Sequence, residues 1–261
     1  MELPGITTDQ MREVDRIMVE ELDITIETMM ELAGYNFARL AVKFLSSTST
    51  RILVIAGSGN NGGGGVAAAR RLAGWGFEST IYFPRGINQL GNVPRLQYNR
   101  AKNLGIQSSS GLPALETSKN ALVLDTYLGY GFSNRDDEIT DNVFSFLREC
   151  SFVLSLDIPS GLDSDNGCSY SQFSPKATMA IAFLKRGMLE CDSDFLGNLF
   201  VADIGVPSTI FLSCLGITWN KDYSEESLNE LYGLFSKDSL LRVKLLGSTP
   251  PFSWCTRMLD T

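Results

Sequence analysis

Between the apolar run Ile52-Leu53-Val54-Ile55-Ala56 and the helix-forming run Val66-Ala67-Ala68-Ala69-Arg70-Arg71-Leu72 lie nine residues, Gly57 to Gly65, of which six are glycine. A buried strand therefore runs through glycine directly into a helix. Glycine lets the backbone enter conformations closed to other residues and come close to a ligand, with amide donors and the positive helix end facing it. The natural guest of such a turn is a phosphate.

The flanking pattern repeats this alternation. Thr7-x-x-Gln10 is a capping box, and Met11, Val14, Ile17, Met18 and Leu22 recur at helical spacing, so a first helix is expected over about 8 to 21. Met29, Met30, Ala33, Phe37, Leu40, Ala41 and Phe44 carry a second helix up to a Ser/Thr loop, and a first strand follows at about 51 to 56. Ser79 to Phe83 reads as a strand stopped by Pro84, and Asn92-Val93-Pro94 opens a helix that Gly105 ends. Further strands are expected at Ala121 to Leu124, Phe152 to Leu156, Ala177 to Phe183 and Leu199 to Ala202, with a helix at about 137 to 149. Parallel strands need helical crossovers, so the fold class is α/β: a Rossmann-like, doubly wound, mostly parallel sheet behind two N-terminal helices.

Residues 1–210 read as one domain. Residues 211–261 read as a divergent tail, part helical from Ser224 through Leu228, Leu231, Tyr232 and Phe235, loosely ordered, and broken by Gly247-Ser248-Thr249-Pro250-Pro251.

Several function classes drop out on composition. Without a single histidine, Ser-His and Cys-His nucleophiles and histidine-held metals are excluded, leaving proton transfer to carboxylates, lysine, tyrosine or water. A net charge of −8 disfavours nucleic acid and acidic membrane surfaces. No apolar run approaches the roughly 20 residues of a membrane helix, and Met1-Glu2-Leu3-Pro4 lacks the features of a secretory signal. The five cysteines are odd in number and scattered, so free thiols in a cytoplasmic or other reducing intracellular compartment are expected.

Ligands of open parallel sheets bind beyond the carboxyl ends of the strands, where this chain places the glycine run, Asp125 and Asp157. An aspartate there also serves as a helix cap or turn former. Gly57-x-Gly59-x-x-Gly62 fits a dinucleotide fingerprint, but the second strand ends in Pro84-Arg85 where a ribose-binding acid is expected, and Glu78 precedes that strand. An ordinary nicotinamide oxidoreductase is thereby disfavoured. Asp157-Ile158-Pro159-Ser160-Gly161-Leu162-Asp163 presents a carboxylate, a hydroxyl and a glycine turn together, or is a plain turn. Lys185 brings charge to another strand end, or is a solvated surface lysine.

Gly59-Asn60-Asn61-Gly62-Gly63, Asp125-x-x-x-Gly129-x-Gly131, the Asp157 to Asp163 segment, Lys185-x-Gly187 and Ala202-Asp203-Ile204-Gly205-Val206-Pro207 occur in this order. Over about residues 5 to 210 the chain thereby resembles the YjeF N-terminal family, the NAD(P)H-hydrate epimerases. That resemblance implies interconversion of the R and S forms of hydrated NADH and NADPH in nucleotide repair, by a homodimer. It implies a substrate site lined by Asn60, Asn61, Gly62, Gly63, Gly64, Gly129, Tyr130, Gly131, Phe132, Ser133, Asn134, Arg135, Asp157 and Lys185. Asp157 would be the catalytic acid/base, and Asn61, Asp125 and Ser160 would hold one K+ per subunit through oxygen donors suited to a hard cation.

The resemblance has departures. Gly64 stands where the family's loop carries aspartate, and Tyr127 and Tyr130 replace small or apolar residues. These departures keep a second reading open, a catalytically inactive binding or dimerisation module of the same fold.

Overall fold

The computed structural model describes residues 3–45, 50–132, 137–214 and 225–259. In chain order the elements are α1 (Thr8–Glu20), α2 (Ile26–Phe44), β1 (Arg51–Ala56), α3 (Asn60–Gly74), β2 (Ser79–Phe83), α4 (Asn92–Asn103), β3 (Gln107–Ser110), α5 (Leu115–Ser118) and β4 (Ala121–Thr126). They continue with α6 (Glu138–Glu149), β5 (Val153–Leu156), β6 (Ala177–Ile181), α7 (Arg186–Glu190), β7 (Asn198–Ala202), α8 (Ser208–Cys214), α9 (Glu225–Phe235), β8 (Leu240–Leu246) and β9 (Ser253–Arg257).

The strands form one nine-stranded sheet in the order β3-β2-β1-β4-β5-β6-β7-β8-β9. Pairings from β3 to β7 are parallel, and the two that add β8 and β9 are antiparallel. The order reverses between β1 and β4, which opens a crevice at their carboxyl ends.

Why the sheet forms is visible in its alternation. Ile52, Val54, Leu122, Leu124 and Leu154 point to one face and pack with Phe37 of α2, Val66 and Leu72 of α3 and Ala101 of α4. Leu53, Ile55, Val123 and Val153 point to the other and meet Val143, Phe146 and Leu147 of α6. Strands buried on both faces give the near-continuous apolar runs seen in the sequence. A third cluster joins Met11, Val14 and Met18 of α1 to Val201 of β7, Leu241 of β8 and Leu228 of α9.

The expected capping box holds: Thr7 Oγ1 accepts from Gln10 N at 3.2 Å and Gln10 Oε1 accepts from Thr7 N at 2.9 Å. Three strands lack a sequence signal. β3 is the polar, largely exposed edge run Gln107-Ser108-Ser109-Ser110. β8 and β9 lie in the segment read as a loosely ordered tail; the helix expected there is α9, but β8 extends the sheet by pairing Leu240 with Ala202 and Leu241 with Val201. Trp254 of β9 is fully buried against Phe183, with its Nε1 donating to Pro4 O at 2.7 Å. These strands are stabilised by partners far away in sequence, which no local pattern reports.

The glycine run also differs from expectation. α3 begins at Asn60, inside the run, and no glycine from Gly57 to Gly65 has a positive φ. Their value is closeness: a Cβ on Gly57 would lie 1.9 Å from Tyr127 O, one on Gly62 1.9 Å from Gly57 O, and one on Gly65 2.1 Å from Thr126 Oγ1. Gly57, Gly62 and Gly65 let α3 start tight against the ends of β1 and β4, and the same absence of side chains brings α2 in, since a Cβ on Gly34 would lie 2.5 Å from that of Ala67.

Candidate active site

A cleft of about 370 Å³ occupies the crevice between the ends of β1 and β4. The sequence-derived residues Asn60, Asn61, Gly64, Gly129, Tyr130, Gly131, Phe132, Asp157 and Lys185 line it. Gly62 and Gly63 do not: the first is packed on Gly57 and the second on Met30. Asp125 and Ser160 lie beneath the floor, each fully buried. Ser133, Asn134 and Arg135 fall outside the described residues.

Asp157 sits one residue past β5, where the backbone turns out of the sheet with φ of +68°, a left-handed conformation that a bulky residue adopts at a cost and aspartate tolerates better. Its amide donates to Met179 O at 2.7 Å, which ties the turn to β6. Gly161 then takes φ of +91° with Phe144 and Ser171 against its Cα, so that no side chain fits there. The Asp157 carboxylate is almost wholly buried, with Oδ1 ion-paired to Lys185 and Oδ2 accepting from Tyr130 N at 2.9 Å.

A carboxylate with a donor on each oxygen is held in one orientation. Lys185 is therefore no solvated lysine. It is fully buried, and Nζ also donates to Ile181 O at 2.9 Å and Phe183 O at 3.3 Å, so all three of its protons are used. What it gives the cleft is a neutralised, oriented Asp157.

Asp125 closes β4 in a different way. Oδ2 accepts from Ser155 Oγ and Ser160 N, both at 2.9 Å, while Oδ1 accepts from Ser160 Oγ at 2.5 Å and Tyr127 N at 3.3 Å. Among the described residues no cationic side chain pairs with it, and burial pushes its carboxyl above the usual range against the pull of the serine hydrogen bonds. Two of the metal-site residues predicted from sequence meet at one carbonyl, where Asn61 Nδ2 donates to Leu128 O at 2.7 Å and Ser160 Oγ lies 3.5 Å from the same atom, and Asp125 joins them through Ser160 Oγ. Asn61 Oδ1 is buried and has no hydrogen-bond partner among the described residues. An orphaned amide oxygen, a hydroxyl and a buried carboxylate lacking a counter-charge form an oxygen-only donor set that fits a monovalent hard cation. No cluster of three carboxylate, cysteine or histidine ligands suited to a multivalent metal occurs among the described residues.

Sequence reasoning missed the outer wall. Met11, Arg12 and Asp15 of α1 and Met29 and Met30 of α2 line the cleft opposite the glycine run. Asp15 accepts from Tyr130 Oη at 2.5 Å, and its burial raises its carboxyl above the usual range. The signal was present, because Asp15 falls within the stripe Met11, Val14, Met18 where an ordinary amphipathic helix carries apolar residues. Arg85 also lines the cleft, held by Asp137 Oδ2 at 2.5 Å and Thr140 Oγ1 at 2.8 Å.

The geometry defines a class, a Rossmann-like α/β protein with an acid-bearing cleft at its switch point. The chain belongs to the YjeF-related protein N-terminus family, whose model matches residues 26–187. A protein named NAD(P)H-hydrate epimerase from Dehalogenimonas lykanthroporepellens is 33% identical over 210 residues, covering 79% of this chain and 84% of that protein. Proteins of the same name from Dictyostelium discoideum and Ajellomyces capsulatus are 28% and 34% identical, covering 66% and 64% of this chain and 74% and 70% of their own lengths. The crystal structure of yeast ynu0 shares the fold, with a TM-score of 0.74 at 20% identity over 92% of this chain and 100% of that one. Among the described residues no helix is long and apolar enough to cross a membrane.

Proposed function

We propose that this protein interconverts the R and S epimers of hydrated NADH and NADPH, the activity by which its relatives are named. The observation that carries the reading is Asp157, a strand-end carboxylate that is gripped by two donors and turned into the cleft. The hydrated carbon of the substrate bears a hydroxyl and a ring nitrogen. Such a centre inverts when the carbon–nitrogen bond opens, its electron pair passing to the conjugated ring nitrogen as the hydroxyl gives up its proton and becomes a carbonyl, and the nitrogen then recloses on the opposite face. Asp157 accepts that proton and returns it on reclosure, while Lys185 and the Tyr130 amide keep the carboxylate oriented. The first turn of α3, from Asn60, presents free backbone amides to the anionic part of the dinucleotide.

Asn61, Asp125 and Ser160 would hold K+. The chemistry such an ion would supply is positive charge beside the buried Asp125 carboxylate, under the loop from Tyr127 to Gly131 that carries the Asp157 clamp. The resemblance to the family supports a homodimer, and the free thiols Cys150, Cys168, Cys191 and Cys255 suit a reducing compartment.

The test is a chiral chromatographic assay of NADPH hydrate with purified protein, in potassium and in a salt of a bulky organic cation. Exchange between epimers well above the spontaneous rate, and faster in potassium, is expected. No acceleration in either salt overturns the enzyme in favour of an inactive module of the same fold.

A further inference from the structure

We propose that Asp15, on a helix outside the sheet, is a positioning residue for Asp157 and acts on it through Tyr130. The segment matched by the family model starts at residue 26, beyond α1. Yet α1 reaches the acid by a continuous path. Asp15 Oδ2 accepts from Tyr130 Oη at 2.5 Å, and Tyr130 N donates to Asp157 Oδ2 at 2.9 Å. The same residue is held at a third point, where its carbonyl accepts from Ser164 Oγ at 2.9 Å, and that hydroxyl lies 2.6 Å from Thr8 Oγ1 in the first turn of α1.

Three points fix a body. With its ring, amide and carbonyl each tethered, Tyr130 cannot rotate its N–H away from Asp157 without breaking a bond to α1 or to Ser164. Its neighbours Gly129 and Gly131 impose little restraint of their own, so the tethers must supply it. The Lys185 ammonium lies 5.8 Å from the Tyr130 ring centroid, so the ring that Asp15 holds also covers the other donor to Asp157. Burial and the neighbouring Asp15 raise the phenol well above its ordinary value, so it stays a donor at every working pH. A carboxylate whose two donors are fixed has a fixed direction, and directional error at the reacting atom is what slows catalysis when a supporting contact is lost.

The inference rests on the epimerase reading for the reaction it serves, and its test separates the two. Wild type, D15A, D15N and Y130F are compared for kcat and KM in NADPH-hydrate exchange, and crystal structures of D15A and Y130F are solved. D15A and Y130F are expected to lose about tenfold in kcat, with KM within about twofold, the size of one lost hydrogen bond expressed only in the transition state. D15N keeps an acceptor for the phenol and should stay within about threefold of wild type. In the D15A crystal the bond from Tyr130 N to Asp157 should be broken. A D15N variant as slow as D15A, a D15A variant with the wild-type kcat, or an unmoved Tyr130 amide in the D15A crystal would each overturn the positioning role. If wild type exchanges nothing, the proposed function fails, and the crystal comparison still decides whether Asp15 positions Asp157. Should D15A not fold, Y130F, which removes one oxygen, carries both measurements.

Discussion

Two adjacent strands, β4 and β5, each run apolar into an aspartate, and the two aspartates do opposite work. Asp125 is the last but one residue of its strand, paired in register with Ile55 and Ser155, and its side chain meets that of Ser155 on the neighbouring strand. Asp157 stands one residue beyond its strand, and the turn in its backbone swings the carboxylate into the cleft. The first collects four donors and no cation among the described residues; the second collects one amide and a buried lysine. A shift of two residues relative to the strand's end separates a carboxylate that organises a turn from one that faces the cleft.

The largest effect expected is at Asp157. D157N should cut the exchange rate by about 10²- to 10⁴-fold, the range for loss of a positioned acid/base. It also strands the Lys185 ammonium, and removing one partner of a buried ion pair costs about 3–5 kcal/mol of stability. The double variant D157N/K185M should recover most of the melting temperature and none of the rate. Thermal melts and the epimer assay on the same samples check this, and a D157N protein that still turned over would erase the contrast between the two strand ends.

At Asp125 the expected loss is structural. D125N turns an amide toward the Ser155 and Ser160 donors, leaving a buried mismatch worth about 1–3 kcal/mol. S160A removes a ligand while sparing the carboxylate. Wild type should melt higher in potassium than in an organic-cation salt of equal ionic strength, because an ion bound only by the folded state stabilises it. Both D125N and S160A should lose that difference. If S160A keeps the full potassium response, the oxygen cluster is not where the ion binds.

Much of this contrast was hidden in the sequence, and the reasons differ by residue. Buried parallel strands announce themselves through apolar runs, so β1, β2, β4, β5, β6 and β7 were legible. The edge strand β3 is four polar residues, and β8 and β9 exist because β7 offers a partner to β8, which in turn pairs with β9. The glycine run was legible as a strand entering a helix, but its physical use, close approach without any positive φ, depends on which atoms of β4 lie opposite. Both aspartates looked alike because alternation and composition say nothing about where a strand stops to within one residue. The partners of Asp157 lie 27 and 28 residues on from or before it in the chain, and Asp15 is 115 residues from Tyr130, separations at which only the folded sheet decides contact.

The finest probe of the same contrast is the second turn of α3, which touches both strand ends through the consecutive glycines Gly64 and Gly65. A Cβ on Gly65 would meet Thr126 Oγ1 at 2.1 Å, with Thr126 Cβ and Cγ2 both at 2.7 Å, next to Asp125. That β-branched side chain is stiff, and its hydroxyl already donates to Ile55 O at 3.0 Å, so the helix itself has to move. A Cβ on Gly64 would meet only Leu156 Cδ2, at 2.9 Å, next to Asp157, and a leucine methyl end can shift by a few tenths of an ångström. G65A should therefore cost about 1–3 kcal/mol, as overpacking does, whereas G64A should cost less than about 1 kcal/mol because alanine also favours the helix over glycine. Restoring the family's residue with G64D should be tolerated in the same way, and trimming the contact in G64D/L156V should raise its melting temperature. Equal losses in G64A and G65A would mean that α3 meets the two strand ends equally tightly.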